Sequence, residues 1–150
     1  MVGIAVAFCA WFTLSAFAGQ TGKIEVTHTG SQWEYTVFNK NPTGNSNYVT
    51  TFNLSPTASF QVVGTPKGWA YSTDNKTFIQ WYATDPSNGT DGNSLAPGDI
   101  APGSKLSGFI LKSSAGISRP QTASLVYWDH SSKQPGGPGD FLKIEAPSFR

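Results

Sequence analysis

The sequence predicts an all-β protein: one antiparallel β-sandwich, immunoglobulin-like or jelly-roll-like, of seven to nine strands. Three observations predict it. β-Branched and aromatic residues alternate with polar ones at a period of two in short runs. Clusters of Gly, Pro, Asn and Ser separate those runs. After Ala18 no segment carries a sustained helical periodicity.

Each element follows in order. Lys23 to Thr29 opens the sheet, with Ile24 and Val26 alternating against Glu25 and Thr27. Gly30-Ser31 turns the chain into Gln32 to Asn39, where Trp33, Tyr35 and Val37 share one face. Asn41 to Asn47 is a polar loop, followed by Tyr48 to Leu54 with Tyr48, Thr50, Phe52 and Leu54 on one side. Ser59 to Val63 and Thr77 to Ala83 are the next strands, the second centred on Phe78-Ile79-Gln80-Trp81-Tyr82. Lys105 to Lys112 and Thr122 to Trp128 come late, and Phe141 to Ile144 adds a short last strand. Ala96-Pro97-Gly98-Asp99 and Ala101-Pro102-Gly103-Ser104 are tandem Pro-Gly turns. Pro presets φ at the second position and Gly supplies a positive φ at the third, so both are expected to be type II. Asp85 to Asp99 and the Gly/Pro tract Gln134 to Asp140 read as long exposed loops.

The first 18 residues carry an address. An uncharged apolar run ends in Ala16-Phe17-Ala18, the small-residue pattern of a secretory signal peptide. Its start lacks the usual Lys or Arg, so a true start further upstream is one alternative and a retained apolar anchor is the other. The anchor is marginal, because a bilayer crossing needs about 20 apolar residues and Thr13 and Ser15 interrupt this run. The expected organisation is therefore a signal peptide over 1–18 and a single sandwich domain over 19–150, secreted or at the cell surface. The one cysteine, Cys9, lies inside the signal, which leaves the mature domain without thiol chemistry or disulfides. Ten basic and nine acidic residues give a net charge of +1 with no long run of either sign, so a nucleic-acid partner is not expected. Charged residues make up 13% of the chain, about half the usual share, and neutral polar residues take their place.

Pro66-Lys67-Gly68-Trp69, Ile79-Gln80-Trp81 and the run Ile100-Ala101-Pro102-Gly103-Ser104-Lys105-Leu106-Ser107-Gly108-Phe109 occur in that order. From Trp33 to Trp128 this resembles the small secreted bacterial β-sandwich proteins that often carry a PEP-type C-terminal sorting signal. The resemblance implies an extracellular sandwich and assigns no activity. After Phe141 the chain departs from that pattern, with neither a Pro-Glu-Pro motif nor an apolar anchor helix before Arg150.

Constellations that would carry chemistry are incomplete. A Ser-His-Asp site needs a nucleophile, a base and an orienting acid, but there is no Gly-x-Ser-x-Gly elbow and the only histidines are His28 and His130. Both read as solvated surface residues. A zinc site would need both with Asp129 and lacks ligand spacing. Glu25 and Glu34, at opposite ends of a hairpin, do not form a glycosidase pair. No catalysis is therefore expected; a histidine beside a carboxylate in a cleft would reopen the question. Calcium is the only cofactor considered: Asp85, Asn88, Asp91 and Asn93 space oxygen ligands in a Gly-bearing loop, against the plainer reading of a solvated turn. Sugar stacking is the other candidate, on Trp69 and Trp128 with Tyr71 and Tyr127 beside them, against the plainer reading that a small sandwich buries such residues. Sequons at Asn53, Asn75 and Asn88 carry little weight in so Asn- and Thr-rich a chain.

These readings converge on a non-catalytic secreted or cell-surface module, structural, adhesive or self-associating. Its expected partners are other surface or matrix proteins, copies of itself, or glycans. Membrane contact is expected only through a retained N-terminal segment. A carbohydrate-binding module using exposed tryptophans is the alternative.

Overall fold

A computed structural model describes residues 22–84 and 96–150. The expected signal segment and the candidate calcium ligands Asp85, Asn88, Asp91 and Asn93 lie outside those residues. Ten strands are described: β1 (Gly22–Thr29), β2 (Gln32–Asn39), β3 (Asn47–Leu54), β4 (Gln61–Gly64), β5 (Trp69–Thr73), β6 (Ile79–Ala83), β7 (Lys105–Lys112), β8 (Ile117–Asp129), β9 (Gln134–Pro135) and β10 (Asp140–Ser148). All pairings are antiparallel. One sheet runs β1-β2-β7-β4 and the other β10-β8-β3-β6-β5, with β9 also on β8. The chain changes sheet after β2, β3, β4, β6 and β7, so most neighbours in space are distant in sequence. This is an antiparallel β-sandwich of two sheets, and no helix among the described residues is long and apolar enough to cross a membrane.

Alternation decides which faces meet. On β2, Trp33, Tyr35 and Val37 are fully buried while Gln32 and Glu34 are exposed, as the period of two dictates. Phe52 stands at the centre of the interface between the sheets. It stacks on Trp81 at 5.2 Å and meets Tyr35 and Phe109 edge-on at 5.7 and 5.5 Å. Such offset and T-shaped contacts match the ring quadrupoles and add to area burial.

Several expected features are displaced, each for a local reason. On β3 the expected face Tyr48–Thr50–Phe52–Leu54 breaks, because Thr50 is an extra residue between the pairs Val49↔Tyr127 and Thr51↔Val126. The bulge puts Val49 into the core ahead of Phe52 and Leu54 and turns Tyr48 away from it. β5 has no counterpart among the expected strands; it is a short edge strand carrying little alternation. β10 extends to Ser148 through Pro147, which an edge strand tolerates because its missing N–H faces no ladder partner. Of the tandem turns only the second has a glycine at positive φ, Gly103 at 77°. Gly98 is needed for another reason: a Cβ there would stand 2.8 Å from the Gly68 carbonyl oxygen.

Candidate functional site

The four aromatic candidates separate. Trp69 opens β5 and is 7% exposed, its indole N–H donating to the Gly98 carbonyl at 2.8 Å and its ring meeting Phe109 edge-on at 5.2 Å. Tyr127 is fully buried on β8 and donates its hydroxyl to Asp140 Oδ2 at 2.6 Å. Burial, with Asp140 beside it, pushes its pKa far up. Neither ring is available to stack on a sugar, so both are core residues, because their strand positions point between the sheets. Trp128, one position on, is half-buried with its indole nitrogen covered. Tyr71 alone is open, at 46% exposure.

Tyr71 lines an open groove of about 920 Å³ with Phe60, Gln61, Val62, Lys112 and Ser113. β4 and β5 are the terminal strands of different sheets, so the groove is the gap where the sandwich is left open at one side. Its walls mix apolar side chains with polar ones; Lys76 and Lys112 are the charged groups among them, and no acid among the described residues lines it.

Both histidines have partners; His28 is nonetheless exposed, as the solvated reading expects, and only the part-buried His130 departs from it. His28 stacks on Trp33 at 4.1 Å, and its Nε2 lies 2.8 Å from the Gly30 carbonyl oxygen. His130 Nε2 lies 2.7 Å from Asp99 Oδ2, and Tyr48 covers the imidazole at 3.6 Å. The Asp99 side chain is 1% exposed, against 25% for His130. Burial holds the Asp99 carboxyl above its usual range, opposed by the Ala96 N–H and by His130. This is a histidine beside a carboxylate, the pairing that would reopen catalysis. Its third component is missing: among the described residues no hydroxyl or thiol is hydrogen-bonded to the His130 ring. The pair instead closes one end of the sandwich, joining the β6–β7 connection to the end of β8. Asn39 does the same nearby, donating to the carbonyls of Asn47 and Ile100, both at 2.9 Å, and accepting from Asn41. Three buried polar atoms at this end, Asn47 Oδ1, Asp99 Oδ1 and Trp128 Nε1, have no hydrogen-bond partner among the described residues.

Sequence reasoning missed Asp99 as a partner of His130, since the two are 31 positions apart with no motif between them. The one local signal was Asp99 closing a Pro-Gly turn, where its carboxylate accepts the Ala96 N–H at 3.0 Å. Among the described residues no three His, Cys, Asp or Glu side chains group to hold a metal ion.

Large exposed apolar residues fall mainly on two opposite edges. Val63, Tyr71 and Phe78 lie along β4, β5 and the turn after β5, while Phe141 at 82% and Phe149 at 63% lie on and just beyond β10. β5 and β10 are the two ends of the same sheet.

No family model and no curated protein matches this chain. A solved structure similar to it is an uncharacterized protein from Nocardia farcinica described as having an immunoglobulin-like fold. The two share 14% identity over 81% of each chain, with a TM-score of 0.44. At that distance nothing of the neighbour's chemistry passes to this chain.

Proposed function

We propose that this chain is a non-catalytic module of the cell exterior that works by association, its sheet edges pairing head-to-tail with copies of itself. The observation that carries the reading is the placement of exposed aromatic residues on both ends of one sheet. An edge strand presents unpaired N–H and C=O groups, and soluble proteins usually blunt such edges with charge, proline or a cover. β5, Trp-Ala-Tyr-Ser-Thr, carries no charge and no proline, whereas β10 carries Lys143, Glu145 and Pro147. Two unlike edges on one copy can meet only in a heterologous contact, here through the aromatic side chains Tyr71 and Phe141, which propagates unless its rotation closes a ring. Pairing of both histidines with structural partners supports the non-catalytic part of the reading. The tryptophan-based sugar-binding alternative loses support, because Trp69 is closed off by Gly98 and Trp128 offers only a partial surface.

Sedimentation velocity over a rising concentration series tests this reading. The expected result is a weight-average mass that climbs without a plateau at dimer. Tyr71→Lys is expected to stop the climb by placing a charge on the edge. A monodisperse monomer at high concentration would overturn the proposal.

A further inference from the structure

Three of the chain's ten basic residues meet at one aromatic ring, although they stand far apart in sequence. The Nζ atoms of Lys40, Lys105 and Lys23 lie 5.1, 5.6 and 5.7 Å from the centroid of the Phe38 ring. Strand register causes this. Lys23 pairs with Phe38 across β1 and β2, and Phe38 pairs with Lys105 across β2 and β7. Trp33, Tyr35 and Val37 face the core, so Phe38 and its neighbours form a row on the outer face of the four-stranded sheet.

The row is held firmly from behind. The Asn39 N–H donates to the Ser104 carbonyl, and the Gly103 N–H donates back to the Asn39 carbonyl, both at 2.9 Å. The buried Asn39 side chain is fully used, so the backbone carrying Phe38, Lys40 and Lys105 is fixed in place. A shallow depression of about 600 Å³ lies among Phe38, Lys40, Ser104 and Lys105.

Charge at this place is one-sided. Glu25 is the carboxylate in the cluster and is bonded to Lys23 at 2.7 Å. Lys40 and Lys105 make no direct ion pair among the described residues and share the one carboxylate, Glu25, only at longer range. Ammonium groups crowded on one ring repel each other, and an anion relieves that repulsion while gaining from all three.

We propose that this platform binds an acidic polysaccharide, the carboxylate or sulfate of a sugar residue held by Lys23, Lys40 and Lys105 and its C–H face lying on Phe38. The extent of the patch favours a sugar over other polyanions. Three adjacent strands span about 10 Å, the reach of one or two sugar residues. Glu34 lies further along the same outer face and interrupts any longer track for phosphates. Phe141, Phe149 and the other most exposed apolar side chains lie elsewhere, so this face lacks the insertion residues of a membrane binder. The site is on a sheet face and does not depend on edge pairing.

Calorimetric titration with tetragalacturonate and a heparin tetrasaccharide, at about 50 mM and 200 mM salt, tests it. Saturable binding that weakens with salt is expected, with a neutral cello-oligosaccharide silent. Lys23→Gln/Lys105→Gln is expected to lower the affinity about tenfold, and Lys76→Gln, which removes the same kind of charge beside Lys112 at the other end of β7, to leave it within about twofold. Phe38→Leu is expected to weaken binding while keeping the apolar volume. No binding of either acidic sugar at low salt, or binding unaffected by the double variant, would overturn the proposal. Equal, lysine-dependent binding of a single-stranded oligonucleotide or of anionic phospholipid vesicles would overturn it in favour of those partners. Because Tyr71→Lys leaves this face intact, titrating that variant separates failure here from failure of edge association.

Discussion

The centre of the sandwich and its Asp99–His130 end are both buried, yet they are built by different means. At the centre, Phe52, Tyr35, Trp81 and Phe109 are brought together by strand alternation and stabilised by burial and ring geometry. At the end, Asn39, Asn47, Asp99 and His130 come from four separate segments and are held by individual hydrogen bonds. Apolar burial is non-directional and tolerates approximate placement, whereas each polar atom there either meets its partner or stays unsatisfied. Three such atoms are unsatisfied within this region.

The sharpest way to break the comparison is at the centre. Phe52→Ala removes a fully buried ring that three others touch, and is expected to cost about 3–5 kcal/mol by urea denaturation. A loss below about 1 kcal/mol would mean that the centre repacks freely, and the contrast would fail. At the polar end, Asn39→Ala removes the side-chain partner of the Asn47 carbonyl and of the Asn41 amide, while the Ile100 carbonyl keeps the Val49 N–H, with an expected cost of about 1–3 kcal/mol. Tyr35→Phe joins the two modes in one residue. It keeps the core ring and deletes only the hydroxyl that donates to the Glu145 carbonyl at 3.0 Å, so a loss of about 1 kcal/mol is expected.

The smallest effects are differences in sign with pH. Asp74 lies in the exposed turn after β5, where the side chain and backbone of Thr77 and the N–H groups of Lys76 and Phe78 hold its carboxyl well below the usual range. A depressed carboxyl contributes stability above its unfolded pKa and loses it as pH falls toward the folded one. The advantage of the wild type over Asp74→Asn is therefore expected to be full at neutral pH and to shrink in acid. Asp99 is raised by burial, so the sign reverses: its folded form holds the proton to higher pH, and wild-type stability falls as pH rises through that interval. Compared with Asp99→Asn, the wild type is expected to gain as pH falls from the raised Asp99 pKa toward the ordinary carboxylate range. Urea melts of the two variants across the acid range check both, and slopes of the same sign would contradict the account.

What was legible in the sequence follows the same division. β2 is readable residue by residue, because Trp33, Tyr35 and Val37 alternate without interruption. β3 is readable as a strand but not by face, since nothing in Tyr48-Val49-Thr50-Thr51 marks where the bulge falls. β5 is hidden because an edge strand buries little and carries little pattern. Long-range partners are hidden altogether. Asp99 meeting His130, and Lys23 and Lys105 meeting across Phe38, depend on which strands become neighbours, and a chain that changes sheet five times conceals that order.

The central claim is that two unlike edges of one sheet associate. It is tested most directly by mixing Tyr71→Lys, which keeps the β10 edge, with Phe141→Lys, which keeps the β5 edge. Each variant alone is expected to sediment as a monomer, and the equimolar mixture as a discrete dimer capped at both ends. A Tyr71→Lys protein that still dimerises alone, or a mixture that stays monomeric, would contradict head-to-tail association.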